Sequence, residues 1–152
     1  NRKAGFWIIG SMDGEEYSSN IQIESQSVKN VKLLGAFSRK EMEGIYSKID
    51  VLVCPSREDS LPIVCTEAMM YGKPIIVSDS VGTANYIENG VNGFVCRTED
   101  EIDLSEKMEW FISHQEQIQE MGQNARKTYE CYFSMDQFGD RLEEALCPLF
   151  QS

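Results

Sequence analysis

Short runs of consecutive apolar residues alternate along the chain with longer segments whose apolar positions recur every three or four residues. The runs are 5–10 (GFWIIG), 31–34 (VKLL), 50–54 (DVLVC), 74–78 (PIIVS) and 93–96 (GFVC). Strands apolar on both faces suit a parallel sheet covered on both sides. Between them, a Ser or Thr followed three residues later by Glu or Gln marks helix starts. Ser38-Arg-Lys-Glu41 opens a helix to about residue 48, and Thr98-Glu-Asp-Glu101, Ser113-His-Gln-Glu116 and Ser134-Met-Asp-Gln137 repeat the signature. Pro148 is expected to end the last helix, and a further helix is expected within 14–28. Strands alternating with helices, then a helical tail, predict an α/β fold: a Rossmann-like, doubly wound parallel sheet with right-handed crossovers. Ligands of such sheets lie outside the carboxyl ends of the strands, and the loop 55–61 leaves such an end.

The segment after that loop, 61–71 (LPIVCTEAMMY), reads as a helix opened by Pro62 and closed by Gly72, apolar nearly all round. Glu67 sits in its middle, sharing a face with Ile63, Val64, Met70 and Tyr71. A buried, unpaired carboxylate is very costly, so a partner is expected, and nothing within the helix can serve. Two vicinal hydroxyls of a ligand would satisfy both oxygens. A lysine or a backbone group would do so too, and the residues alone leave the two readings level. Asp59 and Ser60 stand just before the helix. Free first-turn amides and the helix dipole attract phosphate there, while an acid in that place also reads as a plain cap. His114 reads as a solvated junction between helices, not a base. Gly82, after the run 74–78, would leave room for a ligand, although a plain connection is the simpler expectation. Asn89-Gly90 and Asn92-Gly93 mark turns.

Composition narrows the classes. A chain of 152 residues is one domain's worth. A net charge of −11 excludes a nucleic-acid groove or an anionic membrane surface, both of which need a basic patch. The five cysteines, Cys54, Cys65, Cys96, Cys131 and Cys147, show no CxxC spacing and read as reduced, core-filling thiols of a cytoplasmic protein. No apolar run approaches the ~18 residues of a membrane span, and no signal peptide is recognisable. GxSxG, P-loop, GxGxxG and HExxH motifs are absent, and the two glycines of Gly10-Ser-Met-Asp-Gly14 are a weak signal for a ligand loop. No cofactor and no metal are expected. The chain starts at Asn1 directly before an apolar run, which suggests a piece of a longer protein.

The stretch 55–95, "PSREDSLPIVCTEAMMYGKPIIVSDSVGTANYIENGVNGFV", resembles the carboxyl-terminal, donor-binding domain of GT-B glycosyltransferases of family 4. Pro55-Ser56, Glu67-Ala68-Met69, Gly72-Lys73-Pro74 and the segment 90–94 carry the likeness; 31–56 and 132–146 extend it to the preceding and closing elements. The resemblance implies that residues 1–152 are a nucleotide-sugar donor domain lacking the amino-terminal acceptor domain and the first strand. It implies transfer of a hexose-type sugar to a glycan or lipid-linked acceptor, with retention and without a required metal, in surface polysaccharide synthesis. Glu67 would hold the ribose hydroxyls and Asp59 those of the donated sugar. Ser60, Leu61 and Ile63 would offer backbone amides beside Pro62, which has none, and Gly35, Ala36 and Phe37 would abut the base. The chain departs from the family at Asp59, where glutamate is usual, and at Pro62, where a glycine is usual. Glu58 lies one residue too far from Glu67 to take the role. The same resemblance predicts an open sheet edge available for self-association, and a cytoplasmic location, at the inner membrane face in the full-length protein. The rival readings are another GT-B enzyme, such as a sugar-nucleotide epimerase, and a non-catalytic, receiver-like regulatory module.

Overall fold

The computed structural model describes residues 4–11, 23, 25 and 28–147, which fall into two compact units, Asn1–Ser47 and Lys48–Ser152. Most of the segment 14–28, the residues 12–14 and Pro148 lie outside the described residues, and so do the expectations placed on them.

In the first unit, strands β1 (Phe6–Ile9) and β2 (Val31–Gly35) pair in parallel, Phe6 opposite Val31, with an irregularity between Ile8 and Ile9. Helix α1 (Arg39–Tyr46) follows and buries Ile45 and Tyr46. Its start is the expected capping box: the Ser38 amide and hydroxyl both donate to Glu41 Oε2, at 2.8 and 2.6 Å.

The second unit holds three parallel strands in the order β3 (Leu52–Cys54), β4 (Ile75–Ser78), β5 (Gly93–Cys96). Helix α2 (Ile63–Met70) connects β3 to β4, as a βαβ crossover requires. A 3₁₀ turn, Gly82–Tyr86, precedes β5, and helices α3 (Glu101–Ser113), α4 (Ile118–Tyr132) and α5 (Met135–Leu146) complete the unit. β4 is buried along its whole length, as befits the middle strand. Against the strands pack Ile76, Phe94, Cys96, Phe111 and Met121, with Val53, Met108 and Trp110 at their edge. No helix among the described residues is long and apolar enough to cross a membrane.

The α/β class with parallel strands stands, with the hydrogen-bonded ladders separate: β1–β2 in one unit, β3–β4–β5 in the other. Two helix starts differ from expectation. Thr98 does not cap α3. Asp100 does, its Oδ1 accepting from Asp103 N at 2.9 Å, while Thr98 bonds Asp79. Ser113 opens nothing: it is the last residue of α3 and donates back to the Glu109 carbonyl at 2.7 Å. A Ser or Thr three residues before an acid reads identically whether its oxygen caps the next helix or serves the previous one. At Ser134 the expected cap is present, accepting from Gln137 N.

Candidate functional site

The loop 55–62 leaves the carboxyl end of β3 and is fastened along one side. Ser78, at the end of β4, donates its hydroxyl to the Ser56 carbonyl. Cys54 Sγ lies 3.5 Å from Ser56 Oγ. Asp59 forms an isolated parallel bridge with Val81, and the Gly82 amide donates to the Asp59 carbonyl at 2.9 Å. Gly82 can come this close only because it lacks a side chain, since a Cβ there would overlap the Ser60 carbonyl oxygen. The space beside Gly82 is therefore taken by the chain's own backbone, as the plain connection expected there requires.

Within that frame Asp59 turns its side chain along the loop. Its Oδ1 accepts from the Leu61 amide at 3.0 Å, an Asx turn one step short of the helix. Asp59 is thus not the cap of α2. The N-cap is Pro62, and no side chain closes that helix start. The Cys65 amide donates back to the Pro62 carbonyl at 3.0 Å, and no side-chain oxygen covers the positive amino end of α2. Of the three amides expected to face a ligand, that of Leu61 is already engaged, which leaves those of Ser60 and Ile63.

Glu67 lies in the second turn of α2, half-buried. The expectation that this helix, apolar nearly all round, buries Glu67 is corrected here. Its buried face consists of Cys65, Ala68 and Met69, while the positions one turn before Glu67 are open: Ile63 is 69 % exposed and Val64 37 %. Glu67 therefore sits on the rim between the packed face and an exposed apolar strip, not in the core. An apolar strip left open beside a carboxylate is what a ligand or a partner surface would cover.

Asp59, Ser60, Leu61, Pro62, Ile63 and Glu67 all belong to the second unit, on one loop and the helix it feeds. Gly35, Ala36 and Phe37 belong to the first unit, in the turn between β2 and α1, where Gly35 adopts φ +73°. His114 stands at the expected junction, between α3 and the 3₁₀ turn that follows it, and is partly exposed. It stacks on Trp110 with ring centroids 4.5 Å apart, and its Nδ1 is 2.9 Å from the Trp110 carbonyl.

Several residues around the loop carry no motif and were not picked out in sequence. Asp79 accepts from both the amide and the hydroxyl of Thr98, at 3.0 and 2.5 Å, and these bonds hold its carboxyl below the usual aspartate range. Arg57, on the loop itself, pairs with Glu99 at 2.7 Å. An open groove of 840 Å³ lies elsewhere, lined by Met70, Lys73, Gln119 and Arg126 among others, and contains none of the expected site residues.

Residues 1–128 match the family model described as "Glycosyl transferases group 1". An uncharacterized glycosyltransferase of Methanocaldococcus jannaschii is 32% identical over 126 residues, 80% of this chain and 34% of its own length. The N,N'-diacetylbacillosaminyl-diphospho-undecaprenol alpha-1,3-N-acetylgalactosaminyltransferase of Campylobacter jejuni is 31% identical over 123 residues, 81% and 32%. Among solved structures, Anabaena HepE in complex with UDP superposes with a TM-score of 0.84 at 20% identity, over 95% of this chain and 41% of that one. The chain spans about a third of the length of the curated relatives it matches.

Proposed function

The chain belongs to the group 1 glycosyl transferases, and from that premise we propose that it is the donor-binding domain of an enzyme that moves a hexose-type sugar from a nucleoside diphosphate to a glycan or lipid-linked acceptor. The observation that carries the reading is the arrangement at the end of β3. There an acid-bearing loop is fastened to the end of β4 and the residues just after it, a helix start is uncapped, and a half-buried glutamate lies one turn beyond beside an open apolar strip.

Each part has a task in that chemistry. The Glu67 carboxylate would accept hydrogen bonds from the two ribose hydroxyls, a charge-assisted pair that fixes the nucleoside. Asp59, turned along the loop, would meet hydroxyls of the donated sugar. It is one methylene shorter than a glutamate, which brings the sugar nearer the loop. The Ser60 and Ile63 amides and the dipole of α2 would stabilise the diphosphate as negative charge develops on it during departure. Pro62 withholds a donor and sets the entry angle of the helix. Retention of configuration, a role in surface polysaccharide assembly and a cytoplasmic site at the inner membrane face complete the reading. The names of relatives such as the Campylobacter jejuni transferase and the capsular polysaccharide biosynthesis glycosyltransferase CapM of Staphylococcus aureus support the polysaccharide role. Acceptor recognition belongs to sequence outside this chain, so the chain alone is expected to bind donor without turning it over. Self-association through a strand edge of β1 or β3 would show as a concentration-dependent sedimentation coefficient, and a strict monomer at high concentration would dismiss it.

The direct test is thermal unfolding of the chain in the presence of UDP, GDP or ADP and their sugar conjugates. A ligand present at 100 times its dissociation constant stabilises by about 2.7 kcal/mol, a readily measured rise in melting temperature. Stabilisation by at least one of the series is expected. None by any of them would favour the regulatory-module reading instead.

A further inference from the structure

The 840 Å³ groove lies at the opposite end of the strands from the acid-bearing loop. Asp50 stands just before β3 and Lys73 just before β4, and these strands run parallel, so the groove that both residues line is at their amino ends. Its far wall is α4, which supplies Gln119, Gln123, Arg126 and Lys127, with Gln115 from the 3₁₀ turn before it. Two glycines bring the walls together. Gly72 adopts φ +67°, and a Cβ on Gly122 would overlap the Gly72 carbonyl oxygen. A glycine inside a helix costs about 1 kcal/mol against alanine, and here the close approach requires it. Arg126 spans the junction: it donates to the Met70 carbonyl at the end of α2 and pairs with Glu130 on its own helix at 2.7 Å. Backbone packing and this bridge together fix the shape of the groove.

The charge of the groove runs against that of the molecule. The chain carries 25 acidic and 14 basic residues, yet the lining holds three cations, Lys73, Arg126 and Lys127, against one acid, Asp50. The Lys73 ammonium is half-buried and meets no side-chain partner among the described residues. Lys127 reaches the amide oxygen of Asn124, 3.2 Å away, and no acid. The three glutamines are exposed, each amide able to donate and to accept, and Tyr71 at the end of α2 is 38 % exposed. We propose that this groove binds an acidic oligosaccharide, a short chain of sugar rings that carry carboxylates. Lys73 and Lys127 pair with the carboxylates, and Arg126, held in place from both sides, adds its remaining N–H donors. The glutamine amides meet the ring hydroxyls, and Tyr71 offers a ring face to the apolar side of a sugar. The volume lies in the upper part of the range for small-ligand sites, roughly 300–1,000 Å³. A densely charged polyanion fits poorly, because a net charge of −11 repels it and the glutamine amides would lack hydroxyl partners. An acidic peptide brings carboxylates without the hydroxyls. In the enzyme proposed above, the site would hold an acidic glycan at the end of the strands away from the donor. That consequence rests on the donor reading, and the binding itself does not.

The test titrates the isotope-labelled full chain with tetragalacturonate, an oligomer of carboxylate-bearing sugar rings, with no nucleotide present. Amide resonances of 71–73 and 119–127 should shift in one saturable step, and those of the loop 55–62 should stay in place. Raising the salt from about 0.01 to 0.15 M shortens the screening length from about 30 to 8 Å and should weaken binding. Neutral maltotetraose should bind about tenfold more weakly, for want of charge-assisted bonds. Lys73→Gln combined with Lys127→Gln should lower the affinity for tetragalacturonate by about the same factor. Lys107→Gln, on α3 and paired with Asp103, should change nothing. Absence of shifts at 71–73 and 119–127 would overturn the site, and this map is made on the unaltered chain, whatever the variants do to folding. Undiminished affinity in the folded double variant would overturn the role of the lysines. Equal affinity for hexaglutamate or inorganic polyphosphate would overturn the sugar assignment. A chain that binds no nucleotide would defeat the donor function and leave every one of these measurements standing.

Discussion

The backbone of Gly82 lies so close to Ser60 that a single methyl group on Gly82 would overlap the Ser60 carbonyl, and the Gly82 amide completes the approach by bonding the Asp59 carbonyl at 2.9 Å. The conformation of the loop 55–62 is thus set by a residue twenty positions downstream. Gly82→Ala should force the two backbones apart at a cost of about 1–3 kcal/mol, the range of an overpacked site. It should also weaken any ligand of the Asp59 loop. Gly122→Ala supplies the contrast, because its Cβ would overlap the Gly72 carbonyl where α4 passes the end of α2. Both variants should unfold at lower temperature, but only Gly82→Ala should speed amide exchange in 56–62. Equal exchange in the two would mean that Gly82 does not hold the loop.

Glu67 and Asp59 are separable by ligand. If Glu67 binds the ribose, Glu67→Ala should weaken free nucleoside diphosphate and nucleotide sugar alike, by about tenfold or more for a lost charge-assisted pair. Asp59→Asn keeps an oxygen for the Leu61 amide, so the turn survives. It should leave free nucleotide binding unchanged while weakening the sugar conjugate. Calorimetry on the intact enzyme reads both, and parallel losses in the two variants would refute the separate assignments.

How much of this was legible in the sequence follows from what each signal encodes. The five strands and the crossover helix α2 were readable because an apolar run flanked by Gly, Pro or Ser admits few alternatives, and each observed strand lies within a residue or two of its apolar run. The acid positions were legible through their spacing to Pro55-Ser56 and Gly72-Lys73-Pro74. The exposure of Glu67's neighbours was not. Ile63 and Val64 are as apolar as Cys65 and Met69, and composition cannot say which side of an all-apolar helix meets the sheet. Nor was Gly82's close approach to Ser60, a backbone relation between segments distant in sequence.

Asp79 makes an acid-limb prediction. Hydrogen bonds from the Thr98 hydroxyl and amide depress its pKa below the ordinary 3.8. A depressed carboxylate contributes stability that is fully present above its unfolded-state value and is lost as pH falls through the folded-state value. The loss from Asp79 therefore falls below about pH 4. Asp79→Asn, which cannot ionise, should be less stable at neutral pH and should lose part of the steep decline of melting temperature in that acid window. Asp103, depressed chiefly by the Arg97 amide and then by Lys107, gives a second decline in the same window. An acid limb unchanged in Asp79→Asn would show that the Thr98 bonds persist in the unfolded chain or contribute nothing.

Helix α5 shows why amphipathic pattern and burial are different facts. Met135, Phe138 and Leu142 recur on one face of the helix, yet Met135 is 77 % and Phe138 60 % exposed, and no residue of α5 is buried. Phe111, by contrast, is buried in α3 against Phe94 and Trp110, with ring centroids 5.5 and 5.4 Å away in edge-on geometry. Truncating a buried phenylalanine removes its transfer free energy and leaves a cavity, about 3–5 kcal/mol, whereas truncating a mostly exposed side chain changes stability by roughly half a kcal/mol. Phe111→Ala should therefore lower the unfolding midpoint severely and Phe138→Ala barely at all, in denaturant titrations of the isolated chain at low concentration. In the intact enzyme the Phe111 effect should persist unchanged. A new cost at Phe138 there would measure directly how far sequence beyond this chain covers α5. A large Phe138 cost in the isolated chain would instead mean that the face is already covered, by a second copy, and the cost would then fall on dilution.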